Sequence, residues 1–209
     1  MSNSDFYSEG SRSLQDRFDT RRIADRLVQV DLLEEFNDGH RDIIETASMF
    51  FLATSDALGR PDVSYKGGMP GFVQVVGPSE LAFPDYNGNG MFKRLGTILE
   101  NPNVGLLFIR WTESPKKLRV LGKASIDEHD PLLDHYAGAQ LIVRVTAEQI
   151  FDNCPRYLHE ITISNFSKYV PKSGRKAPIP DWKRNPLYSD ALPDQDLAAL
   201  AENNKTKPK

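Results

Sequence analysis

Apolar residues follow two different spacings along the chain, and the change between them divides it into parts. From Ile23 onward, apolar side chains recur at i, i+1, i+4 and i+5 and form one stripe, while charged residues occupy the opposite face. This pattern predicts a helix over residues 12–36, in which Asp19 or Thr20 is the N-cap of the second half. A short helix is predicted over residues 41–46. Beyond it the apolar runs become short and are bounded by Gly, Pro, Asn and Asp, which is typical of strands.

Seven short segments after these helices have the pattern of β-strands. They are Met49–Thr54, Pro61–Lys66, Phe72–Val76, Glu80–Phe83, Val104–Ile109, Lys117–Ile126 and Gln140–Ile150. Pro84 is expected to end the fourth strand, Gly122 to form a β-bulge, and residues 130–137 to form a short helix that starts at Pro131. Few long helices separate the strands. The pattern therefore predicts a mainly β protein with flanking helices, in which six or seven short strands form a small antiparallel barrel rather than a parallel α/β sheet.

The same changes of pattern predict three parts of the chain. Residues 1–45 form an N-terminal helical extension, residues 46–170 form the barrel domain, and residues 171–209 form a C-terminal tail rich in proline and lysine. Trp182 and Tyr188 lie in this tail. They are either anchors that lie across a partner subunit or ordinary amphipathic surface residues, and the sequence leaves both interpretations open.

Composition and charge narrow the class of protein. Of the 209 residues, 39% are hydrophobic and 26% are charged, which fits a soluble globular protein of one domain plus appendages. The net charge of −3 gives no reason to expect nucleic acid or an anionic membrane as a partner. Cys154 is the single cysteine, so a reducing, cytoplasmic compartment is expected. A signal peptide and a membrane span are not expected, because the N-terminus is polar and no apolar run approaches the roughly 20 residues that cross a bilayer.

The first candidate chemistry lies in the NGNG loop, residues 87–90. Its two asparagines and two glycines tolerate positive φ, so successive backbone N–H groups can form a concave anion site. Lys93 and Arg94 follow at the first turn of a short predicted helix. N–H donors and two cations side by side predict a site for an anionic group, most simply a phosphate. The loop matches neither the Walker pattern nor the dinucleotide-binding fingerprint, and a tight turn that merely needs glycine is the alternative.

A second candidate patch lies on the predicted strand Pro61–Lys66. Ser64 and Lys66 share one face of this strand, because successive side chains of a strand alternate between its faces. A hydroxyl and an ammonium group beside the flexible Gly67 and Gly68 are suited to be the second half of an anion site. An exposed edge strand that Lys66 keeps soluble is the alternative interpretation.

Other reactive residues form no recognisable site in the sequence. The four histidines lack carboxylate or cysteine partners at the spacing of a zinc site, so no metal is predicted. Ser64 has no evident histidine base, which argues against a serine hydrolase. Cys154 precedes Pro155 and Arg156. A buried structural cysteine is the favoured interpretation there, and a thiol activated by the arginine is the alternative.

Five segments, in this order and spacing, resemble the pyridoxamine 5'-phosphate oxidase-like FMN-binding split barrels. They are FFLATSDALGRPDVSYKGG, PGFVQVV, LAFPDYNGNGMF, LENPNVGLLFI and LRVLGKASI. The resemblance covers about Thr46 to Ile126 and is closest to a bacterial branch known only as pyridoxamine 5'-phosphate oxidase-related. That branch is also similar in the N-terminal EGSRSLQDRFDTRRIADRL, in the NGNG loop and in NCPRYLH.

The resemblance implies a six- to seven-stranded antiparallel split β-barrel and a homodimer with FMN at the subunit interface. Residues 46–170 are then the FMN-binding split-barrel domain. The resemblance also implies which residues line the flavin, its phosphate or the neighbouring pocket. They are Ser64, Tyr65, Lys66, Gly67, Asn89, Lys93, Arg94, Arg156 and Tyr157.

Departures from the family pattern bear on the reaction. True pyridoxamine phosphate oxidases carry a C-terminal Arg-x-His substrate motif and end in Arg-Leu-x-Pro, whereas Arg156 and His159 are spaced differently here and the chain ends in a lysine-rich tail. This argues against the vitamin B6 reaction. We predict an FMN-dependent oxidoreductase that acts on a small molecule, and the sequence identifies no catalytic acid or base for it. The alternatives are a flavin-binding or stress-response protein without turnover, and the same barrel with deazaflavin F420 or haem as its ligand.

Overall fold

The computed structural model describes residues 6–172, 174–175 and 177–205. Their contacts divide the chain into two compact units, Met1–Ser164 and Asn165–Lys209. The helices of the first unit are Glu9–Arg17 (α1), Arg21–Asp31 (α2), Asp38–Glu45 (α3) and Lys93–Glu100 (α4), together with a 3₁₀ helix at Pro131–His135.

The predicted N-terminal helix is in fact two helices. Asp19 lies between α1 and α2 with φ of 51°, in the left-handed region that aspartate tolerates better than most residues. Thr20 is the N-cap of the second half, as predicted, whereas the helix ends at Asp31 instead of continuing to residue 36. Only half of the predicted apolar stripe is covered, because Ala24 and Val28 are buried whereas Ile23 and Leu27 are exposed.

The first unit is built on a single seven-stranded antiparallel sheet. The strands are Met49–Ser55 (β1), Pro61–Gly67 (β2), Gln74–Val75 (β3), Glu80–Tyr86 (β4), Asn103–Arg110 (β5), Lys116–Asp127 (β6) and Ala139–Asn153 (β7). Their order in the sheet is β2-β1-β5-β6-β7-β4-β3. No pairing joins the two end strands in the part of the chain that the structure describes, so the sheet is open. This arrangement confirms the predicted mainly β split-barrel fold.

Strand β3 is shorter than the predicted strand Phe72–Val76, because the chain turns before Gln74 instead of extending. Phe72 and Val73 are nevertheless buried in the core. The turn brings the Phe72 ring against Gly68, where an added Cβ would lie 2.3 Å from a ring atom. The apolar residues of this segment therefore mark burial rather than strand pairing.

Strand β4 continues through Pro84 to Tyr86, which corrects the prediction that the proline ends it. Pro84 is paired with Ile142 on β7, while the short strand β3 pairs β4 only at Leu81 and Ala82. A proline is tolerated within a strand where its missing N–H faces an unpaired side. Because β4 extends beyond Pro84, Asp85 belongs to this strand and lies one residue before its end.

Strands β6 and β7 are the long centre of the sheet. Their register shifts between Leu121 and Gly122, as the predicted bulge at Gly122 requires. An added Cβ at Gly122 would lie 2.1 Å from the carbonyl oxygen of Thr146, so only glycine fits this close approach.

The core is formed by one large cluster of buried side chains from the sheet and its flanking helices. Phe50, Phe83 and Phe108 are fully buried, and the ring centroid of Phe50 lies 5.0 Å from that of each of the other two. Ile44 of α3 and Leu95 of α4 are buried in the same cluster, so both helices are anchored on the sheet. Leu95 fixes the position of the first turn of α4.

The second unit contains the 3₁₀ helices Asp181–Arg184 and Ser189–Ala191 and the helix Asp194–Lys205 (α5). Lys183 is buried and donates a hydrogen bond to Asp196 at 2.8 Å. Trp182 and Tyr188 make an edge-to-face contact with ring centroids 6.1 Å apart. The sequence pattern predicted only a proline- and lysine-rich tail here, and residues 173, 176 and 206–209 of that tail lie outside the described residues.

Candidate functional site

A cavity of about 170 Å³ lies where β2, β4, the NGNG loop, α4 and the start of β7 meet. Its walls carry three cations, one carboxylate, and tyrosine and amide side chains. The lining residues are Lys66, Asp85, Tyr86, Gly88, Asn89, Gly90, Phe92, Lys93, Arg94, Leu95 and Gln140. The cavity is therefore polar and has an excess of positive charge.

The first turn of α4 supplies two of the cations. Phe92, which precedes the helix, has φ of 45° and makes no side-chain cap, so the first N–H groups of α4 have no capping side chain. The buried Leu95 and Ile98 hold the helix on the core while Lys93 and Arg94 line the cavity. Unpaired N–H groups and two cations favour a negative charge at this place.

The third cation of the cavity, Lys66, forms an ion pair with Asp85. Its Nζ donates to Asp85 Oδ1 at 2.8 Å. The two side chains are only 17% and 13% exposed, so the pair is shielded from solvent. Lys66 extends from the inward face of β2, and Asp85 extends from the part of β4 that lies beyond Pro84.

Asp62, two strand positions before Ser64, binds the cations of α4. Its Oδ2 accepts a hydrogen bond from Lys93 Nζ at 2.9 Å and lies 3.7 Å from Arg94 Nε. The hydrogen bond from Lys93 holds the pKa of the Asp62 carboxyl below its usual value. Asp62 is therefore ionised at neutral pH and neutralises part of the positive charge.

Arg94 has an unused donor. Its Nε is buried and has no hydrogen-bond partner among the described residues. A buried unpaired donor costs free energy, and an acceptor that reaches it removes this cost. Arg94 is also one of the residues that line the cavity.

The NGNG loop uses positive φ at fewer residues than its composition allows. All four of its residues tolerate positive φ, but only Gly90 has it, at 75°. Asn89 accepts a hydrogen bond from the backbone N–H of Met91 through its Oδ1 at 3.1 Å, which stabilises the turn itself. The left-handed positions that the chain does use here are Gly90 and Phe92.

Tyr86 of β4 lines the cavity, whereas Tyr136 interacts electrostatically with Tyr86. Burial raises the pKa of Tyr86, so its phenol stays protonated and can donate a hydrogen bond into the cavity that it lines. Burial, with a smaller effect of Tyr86, raises the pKa of Tyr136 to about 12. The Tyr136 hydroxyl is buried without a hydrogen-bond partner in the described part of the chain, but it does not line the cavity.

The structure brings four of the nine predicted cofactor residues to one cavity. These are Lys66, Asn89, Lys93 and Arg94. Ser64 shares the inward face of β2 with Lys66, but it is buried and its Oγ donates to the Leu52 carbonyl oxygen at 3.4 Å. The ring of Tyr65 lies over Gly67 on the outward face of the same strand.

The two predicted residues of the NCPRY segment lie elsewhere. Arg156 and Tyr157 follow the end of β7, are exposed and do not line the cavity. Cys154 is exposed as well, which corrects the interpretation of a buried structural cysteine. The segment leaves the sheet after Asn153, so its residues are not covered by neighbouring strands.

Sequence reasoning missed four residues of the site: Asp62, Asp85, Tyr86 and Gln140. A signal existed for Asp62, because it shares the face of β2 that carries Ser64 and Lys66. Asp85 and Tyr86 were missed because the predicted strand ended at Pro84. Nothing in the sequence indicated Gln140.

The described residues contain neither a cluster suited to a metal ion nor a helix suited to cross a membrane. No group of three or more His, Cys, Asp or Glu side chains in residues 6–172, 174–175 and 177–205 is placed to hold a metal ion. Within these residues there is also no helix with the length and apolarity that a membrane crossing requires.

An open antiparallel sheet, with a positively charged cavity at one end of β4 and α4, is the architecture of a split barrel. A family model described as pyridoxamine 5'-phosphate oxidase matches residues 36–168, more than half of the chain, and the chain belongs to this family. The matched residues include β1 to β7 and every residue that lines the cavity.

Solved structures with a related fold are distant in sequence. HupZ of Group A Streptococcus is 18% identical over 56% of this chain and 93% of its own, with a TM-score of 0.45. A candidate pyridoxamine 5'-phosphate oxidase from Lactobacillus delbrueckii is 22% identical over 58% and 99%, with a TM-score of 0.47. An FAD-binding protein from Mesorhizobium loti is 16% identical over 58% and 96%, with a TM-score of 0.40. No curated protein matches this chain.

Proposed function

We propose that this protein is an FMN-dependent oxidoreductase of the pyridoxamine 5'-phosphate oxidase-like family and works as a homodimer. The observation that carries the proposal is the unpaired, buried Nε of Arg94 at a cavity that Lys66 and Lys93 also line. We further assign the protein to the bacterial branch with the NGNG loop and the NCPRY segment. A cytoplasmic location stays a prediction from the sequence.

A phosphate monoester fits the groups that the cavity offers. Its terminal oxygens can accept from Arg94 Nε and from the N–H groups at the start of α4, while Lys93 and Lys66 supply positive charge. Two of these cations are held by carboxylates, because Lys66 is paired with Asp85 and Lys93 with Asp62. Arg94 is therefore the ligand whose hydrogen-bonding capacity is most available to a phosphate.

The flavin ring needs a second surface. Sites for ligands of this size have volumes of about 300 Å³ or more, whereas this cavity measures about 170 Å³. The cavity thus accommodates the phosphate end and leaves the ring outside it. In the proposed homodimer the second copy completes the site.

The outward face of the edge strand β2 is where we propose that the second copy binds. Val63 and Tyr65 are 60% and 62% exposed there, side by side on one face. Tyr65 also makes an edge-to-face contact with Phe51 of β1, so the apolar face continues onto the next strand. Burying it removes apolar area from water.

FMN, when bound, supplies hydride and electron transfer. The residues of this chain would bind and orient it. Arg94, Lys93 and Lys66 hold the phosphate. For the rest of the cofactor we keep the sequence-based assignment as a proposal, and it comprises Ser64, Tyr65, Gly67, Asn89, Arg156 and Tyr157.

The absorbance spectrum of the purified protein, with mass identification of any released cofactor, is the first test. A bound oxidised flavin with the mass of FMN is expected, whereas a deazaflavin or a haem would overturn the assignment. Bleaching of the flavin by NADH or NADPH without oxygen is expected of an oxidoreductase. A flavin that no such donor reduces would instead indicate a flavin-binding protein without turnover.

Titration of cofactor-free protein with FMN and with riboflavin tests the phosphate site. Arg94→Met should weaken FMN binding roughly tenfold or more, because a hydrogen bond to a charged group contributes about 1.5–3 kcal/mol. Riboflavin has no phosphate, so its affinity should hardly change. Arg60→Met is the matched control, since Arg60 is exposed and pairs with Asp56 away from the cavity. Equal losses for both ligands in Arg94→Met would contradict the phosphate assignment.

A further inference from the structure

The NGNG loop contains two residue pairs of a chemically unstable type. Asn87 and Asn89 are each followed by glycine, and they are the two asparagines of the chain with this neighbour. In such a pair the next backbone nitrogen can attack the side-chain amide carbon, because glycine has no Cβ to obstruct the approach. Asn101 is the contrasting case, since the following Pro102 has no N–H to supply the nucleophile. The loop is therefore suited to a spontaneous change of an amide into an acid.

The nucleophile of the second pair is accessible. The backbone N–H of Gly90 donates no hydrogen bond to any residue in the described part of the chain. A Cβ added at Gly90 would meet no atom within 4 Å, so there is space around this residue. Asn89 and Gly90 are both exposed. Water therefore reaches this pair, and ammonia released from it can leave.

The amide carbon of Asn89 is polarised by its surroundings. Asn89 Oδ1 accepts a hydrogen bond from the backbone N–H of Met91 at 3.1 Å. Such a donor stabilises the negative oxygen that forms during an attack on the carbon, as the donors of an oxyanion hole do. Lys93 and Arg94 line the same cavity as Asn89 and favour the same negative charge. Asn87 does not line the cavity, so the two pairs of the loop differ in their electrostatic environment.

We propose that Asn89 and Gly90 form a self-modification site, at which loss of the side-chain amide adds a negative charge to the cavity and weakens its affinity for anions. The modification itself depends only on the loop. Its effect on binding rests on the proposed function, because that effect requires the cations to bind a phosphate.

The reaction needs only water. The backbone nitrogen of Gly90 forms a bond to Cγ of Asn89, the proton of that nitrogen passes to solvent, and the side-chain nitrogen leaves as ammonia. The cyclic imide then takes up a water molecule and opens at either of its carbonyl groups. One opening gives aspartate in an unchanged backbone, and the other gives isoaspartate, in which the chain continues through the side-chain carbon. Both products carry a carboxylate, and nothing is oxidised or reduced.

The new carboxylate competes with an anionic ligand for the cations of the cavity. Lys66 and Lys93 already form ion pairs with Asp85 and Asp62. A further carboxylate at residue 89 is ionised at neutral pH, since the usual pKa of aspartate is about 3.9. It repels a phosphate from the same wall of the cavity. Conversion of the amide therefore lowers the affinity for anions, most strongly at low salt.

Peptide mapping by mass spectrometry tests the modification on the full chain during incubation at neutral pH. Conversion at Asn89 should be faster than at Asn87, and Asn101 should stay an amide. The rate should rise with pH, because the attacking nitrogen must lose its proton. If Asn89 stays an amide, or converts no faster than Asn87, the inference is overturned.

Isothermal titration calorimetry with inorganic phosphate tests the effect on binding. Asn89→Asp should bind phosphate about tenfold more weakly than freshly purified wild type, because of the added like charge. Asn87→Asp is the matched control, since it adds the same charge in the same loop but outside the cavity lining. Its loss should be about threefold or less, because solvent and salt screen the more distant charge. Circular dichroism reports whether each variant is folded.

Ageing of the protein gives a second comparison. The phosphate affinity of the wild type should fall in step with the conversion at Asn89. Asn89→Gln should keep its own starting affinity over the same period, because its longer side chain closes the imide ring much more slowly. A fall of equal size in Asn89→Gln would overturn the link between this residue and the loss of binding.

The outcomes separate the two proposals. If the wild type binds phosphate and Asn89→Asp binds it equally well, this inference is overturned while the phosphate site stands. If the wild type does not bind inorganic phosphate, the phosphate site is overturned, and the proposed effect on binding with it. Conversion at Asn89 that lowers the affinity of the wild type, but leaves that of Asn89→Gln constant, supports both.

Discussion

Two arginines of this protein each lie beside carboxylates, and only one of them has a buried donor without a hydrogen-bond partner among the described residues. Arg144 of β7 binds Asp130 in two places, through Nε and through Nη2 at 3.1 Å, and its Nη1 also lies 3.5 Å from Glu80. Arg94 of α4 approaches Asp62 only to 3.7 Å, and its Nε has no partner among the described residues. The residue types are the same, but the hydrogen bonding differs.

The difference teaches how a charged cluster can be recognised as a binding site. Asp130 is 4% exposed, and the two hydrogen bonds from Arg144 compensate its burial, so this cluster ties the 3₁₀ helix after β6 to β7. The Arg94 cluster borders a cavity and leaves a donor unsatisfied. Charge alone is common to both clusters. An unpaired donor at a cavity is the feature that indicates a ligand.

The largest effect is expected from removing Arg144. Arg144→Met leaves the buried carboxylate of Asp130 without its ion pair, which should lower the free energy of unfolding by about 3 kcal/mol. Urea denaturation followed by circular dichroism measures this change. Arg94→Met should stay within about 0.5 kcal/mol of the wild type, and a similar loss in both variants would erase the distinction between the clusters.

The pH dependence of that loss is a further check. The hydrogen bond from Arg144 lowers the pKa of Asp130 below its usual value, so the pair stabilises the folded state above the unfolded pKa of about 3.9. This contribution is lost as pH falls through the lower folded-state pKa. The stability gap between wild type and Arg144→Met should therefore narrow as the pH falls below about 4. A gap that stays constant in acid would mean that Arg144 stabilises by packing alone.

The next largest effect concerns the geometry of Arg94. Arg94→Lys keeps the charge but removes the planar group with its Nε donor. We expect roughly tenfold weaker binding of inorganic phosphate, nearly as weak as in Arg94→Met. Isothermal titration calorimetry measures the phosphate affinity of both variants. Recovery of wild-type affinity by lysine would show that the cavity uses charge and not the unpaired donor.

Two glycines of the loop beside Arg94 provide a matched pair. Gly90 has φ of 75°, so Gly90→Ala should cost about 1 kcal/mol of stability and disturb the turn that leads to Arg94. Gly88 lacks positive φ, and an added Cβ there meets no atom closer than 3.9 Å. Gly88→Ala should therefore leave both the melting temperature and phosphate affinity unchanged. A loss of affinity in Gly88→Ala alone would point to a backbone contact at Gly88.

The smallest effect is expected at Tyr136, whose unpaired hydroxyl lies away from the cavity. Tyr136→Phe should change stability at neutral pH by less than about 1 kcal/mol, because it removes a buried group that has no partner. The pKa of Tyr136 is raised to about 12. Wild-type stability should therefore decline as pH rises from about 10, the unfolded value, towards 12. The phenylalanine variant should lack this part of the alkaline decline, and an unchanged decline would show that other groups cause it.

The sequence by itself determined the positions of most strands and the two faces of β2. Alternation on β2 places Ser64 and Lys66 on one side and Tyr65 on the other, and the structure has this arrangement. The short helix with Lys93 and Arg94 at its first turn, the edge position of β2 and the register shift at Gly122 were predicted as well. These features depend on neighbouring residues and on their spacing, which a sequence contains directly.

Tertiary structure decided which of those side chains have an ion-pair or hydrogen-bond partner and which keep an unpaired donor. Asp85 is 19 residues from its partner Lys66, and Asp62 is 31 residues from Lys93. The strand pairing beyond Pro84 and the bulge that turns Gln140 into the cavity depend on the register between β4 and β7. Local pattern says nothing about such long-range contacts. Whether a cation is neutralised or left with a free donor is set by which side chains the folded sheet brings within about 3 Å of it.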